Sequence, residues 1–197
     1  MKRASNLPVI GVLAAVATGL AVGLAIGAGR SRRAPQPARP VDPALFFRGR
    51  WHEIGRTPMK LTDGCVAGTT DYYRDAKGRL IQDDACRRQT PAGPLKSFAG
   101  PVTILDRKAN TKFRVTYKVF KVLPAPRSYW VLDHADDYAW FIASDPSFDY
   151  LGLFTRAANP DPALVEQLID RAKALGYETS RLEFPAQFPP GPVGSNG

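Results

Sequence analysis

His52 and His134 are the two histidines of this chain, and they are too far apart in the strand pattern to share a ligand. Zinc and haem sites need imidazoles or thiolates converging on one point, so neither a metal centre nor any other cofactor is expected. Asp133, Asp136 and Asp137 crowd a single turn, which reads as a solvated acidic loop and not as a calcium site. No serine, threonine or cysteine has a recognisable base partner, so the chain is not expected to be an enzyme. Cys65 and Cys86 are its only cysteines. They can form one disulfide, worth ~3 kcal/mol for a loop of this size, or remain two small core thiols.

These residues sit behind a long apolar segment. Residues 7–29 carry no charge, with Lys2 and Arg3 before them and Arg30, Arg32 and Arg33 after. As a helix this segment would rise ~34 Å, enough to cross a hydrocarbon core of ~30 Å. An uncleaved single-pass anchor is the expectation for residues 1–29. A signal peptide is the alternative, with Ala25-Ile26-Gly27 as its small-x-small site. No cysteine lies near the end of the run to carry a lipid. The cysteine pair favours a payload on the periplasmic side of a bacterial inner membrane, although the three arginines after the segment mildly oppose that orientation.

The net charge of +9 and pI of 9.8 mostly report these flanks. Lys2, Arg3, Arg30, Arg32, Arg33 and Arg39 all precede Ala44, with Asp42 the one acid among them, so the remainder carries only +4. That is an ordinary solubility charge and gives no footprint for nucleic acid. Residues 30–43, rich in proline and arginine, read as an extended linker. Residues 44–184 suit one domain with one core. Residues 185–197, containing Phe-Pro-Pro-Gly-Pro, read as a disordered tail.

Within the domain, period-two runs alternate with turn signals and predict strands over 51–57, 66–74, 80–88, 96–105, 113–119, 128–133, 138–144 and 150–156. Asp75-Ala76-Lys77-Gly78 reads as a hairpin turn. That turn would set Cys65 opposite roughly residue 88, so a bond to Cys86 requires the chain near Gly64 to curl back. After Asn159-Pro160-Asp161-Pro162 the pattern changes to helical spacing, with Leu164, Val165, Leu168, Ile169, Ala172 and Leu175 on one stripe and Gly176 ending it. A short strand over 179–184 follows. Eight antiparallel strands with short links predict an all-β, up-and-down barrel with one C-terminal α-helix packed on it, preceded by the transmembrane helix.

Gly49-Arg50-Trp51, led by Leu45-Phe46-Phe47 and continued by His52-Glu53-Ile54-Gly55-Arg56, resembles the first signature of the lipocalins, Gly-x-Trp. Asp137-Tyr138 is similar to the end of the second, Thr-Asp-Tyr, with Asp136 in place of the threonine. Tyr150-Leu151-Gly152-Leu153-Phe154-Thr155-Arg156 resembles the third. The likeness covers the domain from Leu45 to about Phe184 and is closest to bacterial outer-membrane and apolipoprotein D-like lipocalins. The apolar leader is a departure, since bacterial relatives usually reach the membrane as lipoproteins.

The resemblance implies a cup plugged by Trp51, with Arg156 across its indole face. It places Trp51 inside the barrel, so Glu53, Gly55 and Thr57 share the inner face and His52 faces outward. A carboxylate there is costly unless paired or hydrogen-bonded, so Glu53 is either half of a buried ion pair or a contact for a ligand head group. The other expected lining residues are Tyr73, Phe98, Val115, Tyr117, Tyr129, Val131, Trp140 and Ile142. The implied function is binding of a small hydrophobic ligand, a fatty acid or lysophospholipid, for lipid storage or transport in the cell envelope. The alternative is a filled barrel acting as a structural or protein-interaction module.

Overall fold

Short turns join each alternating run to its neighbour, so consecutive strands pair antiparallel. In the computed structural model, which describes residues 33–119 and 122–188, the result is a closed barrel in sequence order. Its strands are β1 (Gly49–Arg56), β2 (Cys65–Arg74), β3 (Leu80–Arg88), β4 (Leu95–Ile104), β5 (Lys112–Val119), β6 (Leu123–His134), β7 (Trp140–Ser144) and β8 (Leu151–Thr155). Pairing of β1 with β8 removes both sheet edges. A one-turn helix, α1 (Pro43–Phe46), precedes β1, and α2 (Pro162–Ala174) follows β8. The apolar leader 7–29 lies outside the described residues. Among the described residues no helix is long and apolar enough to cross a membrane.

Two apolar layers share one sheet. Inside, at the end closed by α1, Phe46, Phe47, Trp51, Tyr72, Phe113 and Phe141 interlock, with Phe46 to Phe141 ring centres 4.8 Å apart and Trp51 to Phe141 4.6 Å. Outside, Leu168 and Ala172 of α2 pack on Leu132, Trp140, Ile142, Leu151 and Leu153. Asp161 caps α2 by accepting from the Ala163 N–H at 2.8 Å, Pro162 takes its first position, and Gly176 leaves it at φ 87°.

Two segments expected to hang free are attached to the barrel. The prolines of the linker have no N–H to donate, but three of the other amides find carbonyls on the barrel. Ala34 N donates to Pro146 O, Ala38 N to Leu132 O and Val41 N to Ala109 O. Arg39 bonds Asp133, Asp136 and the carbonyl of His134, so the acidic turn is an anchor for this strap. The His134 ring contacts Pro40 O at 3.1 Å. The tail is held as far as Phe188, whose carbonyl accepts from Asn159 Nδ2 at 3.0 Å. A bulge in β2 between Val66 and Thr69 frees the Ala67 N–H, and Ala186 O takes it at 2.7 Å. The predicted strand 179–184 is instead a 3₁₀ turn, Thr179–Arg181, with a single bridge between Arg56 and Glu183.

Cys65 and Cys86 are bonded, with Cα atoms 5.5 Å apart. Cys65 does lie opposite Arg88. The bond runs diagonally to Cys86, and the irregularity in β2 falls at Val66–Thr69 rather than as a curl at Gly64.

Candidate functional site

Above the aromatic plug the barrel encloses a cavity of about 290 Å³. Phe113, Phe141 and Phe154 form its floor and Phe98, Tyr117 and Tyr129 part of its wall, while Met59, Leu61, Lys96 and Arg127 stand at its mouth. The size is at the small end of ligand pockets, roughly 300–1,000 Å³, and suits one small molecule or one chain.

Two carboxylates face this space. Glu53 accepts from Arg56 Nη1 at 2.8 Å and from the Tyr150 hydroxyl at 2.9 Å. Arg56 is 2% exposed and also reaches Glu183 at 2.8 Å and the carbonyls of Cys65 and Thr62 at 2.8 and 3.2 Å. Burial acts to lower its pKa, but Glu53 and Glu183 outweigh that and hold the guanidinium above its ordinary value. A bulge between Glu53 and Gly55 reverses the alternation of β1, so Arg56 turns inward. Gly55, expected on the inner face with Glu53, backs onto Leu153 and Phe184, and Thr57 bonds Tyr177 and Leu151 beside α2. A Cβ on Gly68 would sit 2.9 Å from Glu53 Oε2 and 3.2 Å from its Cβ, so the bare backbone there makes room for the carboxylate.

Asp84 lies across the cavity. It accepts from Thr70 Oγ1 at 2.6 Å, from Gln82 Nε2 at 2.9 and 3.0 Å, and from the Tyr117 hydroxyl. Gln82 in turn accepts from the Tyr72 hydroxyl at 2.8 Å. Burial raises the pKa of Asp84, against the pull of these donors. Burial first, and then the two carboxylates, keep Tyr72, Tyr117, Tyr129 and Tyr150 well above the ordinary phenol range, so all four serve as neutral hydrogen-bonding groups. Neither His52 nor His134 lines the cavity. The arrangement offers donors, acceptors and apolar surface, which is the equipment of a binding site.

The structure brings Glu53, Phe98, Tyr117 and Tyr129 together as lining residues. Val115 and Val131 point inward but pack fully buried in the interior cluster, outside the cavity lining. Tyr73, Trp140 and Ile142 belong to the opposite face. Tyr73 is 46% exposed, and its neighbour Tyr72 is the one that turns in. Trp140 and Ile142 support α2, while Phe141 and Ala143 face the interior. Missed altogether were Arg56, Thr70, Tyr72, Gln82, Asp84 and Tyr150. The register held a signal for at least two: Trp51 pairs with Thr70 and Thr70 with Asp84, so an inward Trp51 carries both inward with it.

At the closed end the Arg156 guanidinium lies 3.5 Å from the Trp51 ring centre, and donates to the carbonyls of Arg48 and Arg50 at 2.8 Å and of Leu45 at 3.2 Å. Gly49, at φ 58°, bends the chain beneath it. Tyr138 stacks on His134 at 4.8 Å and its hydroxyl accepts from the Asp42 N–H at 2.7 Å, while Asp137 accepts from Ala139 N at 2.9 Å.

A family model for the Lipocalin-like domain matches residues 44–187, spanning all eight strands and α2. The chain belongs to the lipocalins. Temperature-induced lipocalin-1 of Arabidopsis thaliana is 25% identical over 151 residues, covering 69% of this chain and 74% of that protein. Outer membrane lipoprotein Blc of Vibrio cholerae is 22% identical over 157 residues, covering 78% and 88%. Insecticyanin from the tobacco hornworm Manduca sexta shares the fold with a TM-score of 0.61 at 16% identity, covering 79% and 86%. In this lipocalin the three signatures meet at the closed end, where they seal one side of the cup.

Proposed function

We propose that this lipocalin binds and carries one small hydrophobic ligand inside its barrel, and does so without catalysis. The observation that carries the reading is the cavity of about 290 Å³, sealed below by the Trp51 layer and opening past Met59 and Leu61. A fatty acid or lysophospholipid fits as a single acyl chain against Phe98 and Tyr129, with its anionic head beside Lys96 and Arg127 at the mouth. Two chains would exceed the space. The likeness to an outer membrane lipoprotein supports a role in lipid storage or transport in the cell envelope.

Residues 7–29 serve in this reading as a single-pass anchor, with the barrel on the periplasmic side of a bacterial inner membrane. The Cys65–Cys86 bond supports an oxidising compartment. Tethering would raise the effective concentration of the barrel near its ligand source. A reporter active only outside the cytoplasm, fused at the C-terminus, should be active; silence there with activity of a cytoplasmic reporter would reverse the orientation.

Each buried methylene contributes ~0.8 kcal/mol, so affinity for a series of lysophospholipids should rise with acyl length until the cavity is full. Equal affinity along the series would remove the lipid reading. The filled-barrel alternative finds no support in the cavity and predicts such a flat series.

A further inference from the structure

The two carboxylates of the cavity differ in one respect that bears on the ligand. Glu53 is neutralised by Arg56, at 2.8 Å. Asp84 accepts hydrogen bonds only from neutral groups, the hydroxyls of Thr70 and Tyr117 and the amide of Gln82. Among the described residues no lysine, arginine or histidine forms an ion pair with it. Arg56 is already engaged by two glutamates and two carbonyls. Lys96 is held at the mouth, donating to Leu61 O at 2.7 Å. Asp84 nevertheless keeps accessible surface and lines the cavity. Around it stand the rings of Tyr117 and Tyr129, with Phe98 opposite Asp84 on the neighbouring strand.

We propose that the inner end of the cavity is a site for an organic ammonium, with Asp84 as its counter-ion and Tyr117 and Tyr129 as aromatic walls. A carboxylate removed from water gains most from a cation that arrives with the ligand, because it has already lost its hydration. Aromatic faces attract the same charge and cover the apolar body attached to it. A ligand carboxylate at this depth would instead meet the unpaired charge of Asp84. The inference rests on the ligand-carrying reading of the barrel. It adds a second ligand class, small amines with an apolar or aromatic body, bound head inward, whereas an acyl lipid would bind head outward.

The test is isothermal titration of the full chain in mild detergent at neutral pH with three ligands of matched length: 3-phenylpropylamine, 3-phenylpropanol and 3-phenylpropionate. The neutral probe N-phenyl-1-naphthylamine is titrated alongside. The amine should bind at least about tenfold more tightly than the alcohol and the acid, as a charge-assisted contact requires. In Asp84→Asn the amine should fall to the level of the alcohol, and a single cooperative urea transition shows the barrel intact. The ranking in the wild type stands even if the variant misfolds. Probe binding without an amine preference overturns the ammonium site alone. No binding of probe or amine overturns the ligand-carrying reading with it.

Discussion

Arg156 stacks over Trp51 at 3.5 Å from the ring centre while its N–H groups hold the Leu45 and Arg48 carbonyls of the segment that leads into β1 and the Arg50 carbonyl of β1 itself. One side chain thus fixes both the plug and the chain entering it. The indole N–H donates to Phe46 O at 3.2 Å, so α1 is tied to the same residue. Burial, with Arg48 nearby, lowers the guanidinium to about 10, and it stays cationic at neutral pH.

Trp51→Ala should cost ~3–5 kcal/mol as a deletion of a fully buried aromatic. Arg156→Ala should cost less. In a double-mutant cycle by urea unfolding the two losses should couple by more than about 0.5 kcal/mol. Simple additivity would mean that the stacked pair contributes no joint stabilisation.

Arg56→Met should destabilise by roughly 3–5 kcal/mol, because it leaves Glu53 buried in the cavity wall without a cation. The double variant Arg56→Met, Glu53→Gln should recover much of that loss. Urea midpoints of the two proteins check this, and equal midpoints would show that Glu53 is not the source of the penalty.

Asp84 gives the barrel an acid-side signature. Its native pKa is raised by burial, so the folded state holds the proton more tightly than the unfolded chain, whose carboxyl titrates near 3.9. Its stabilising contribution is therefore complete below about pH 3.9 and is lost as pH rises through the higher native value. Asp84→Asn cannot titrate. The stability of wild type relative to this variant should fall with rising pH across that window, read from denaturant midpoints at each pH. A constant difference would show that Asp84 has the same proton affinity folded and unfolded.

The barrel was legible because turns such as Asp75–Gly78 and the strand alternation both announce it, and because the signatures around Trp51, Tyr138 and Arg156 lie at its closed end. Phase failed where a strand is covered on both sides. All five residues of β7 are buried, since the plug covers one face and α2 the other, so Trp140 and Ile142 look as suitable for the interior as Phe141 and Ala143. Bulges hid the rest. The one in β1 turns Arg56 inward beside Glu53, against the period of two. Asp84 and Gln82 were hidden by polarity itself, because an apolar-in rule sends them to the surface. The prolines of strap 34–41 suggest a free tether, whereas Ala34, Ala38 and Val41 each donate to a carbonyl of the barrel.

If the barrel interior holds the ligand, filling it must abolish binding. Ala125 faces the cavity from β6, opposite Tyr117 on β5. Ala125→Trp places an indole in the space without disturbing the plug. Titrated with N-phenyl-1-naphthylamine, wild type should bind one equivalent, and the Ala125→Trp protein should lose at least about tenfold in affinity while still unfolding cooperatively. Unchanged probe binding in the filled barrel would mean that the ligand is held somewhere other than the cavity.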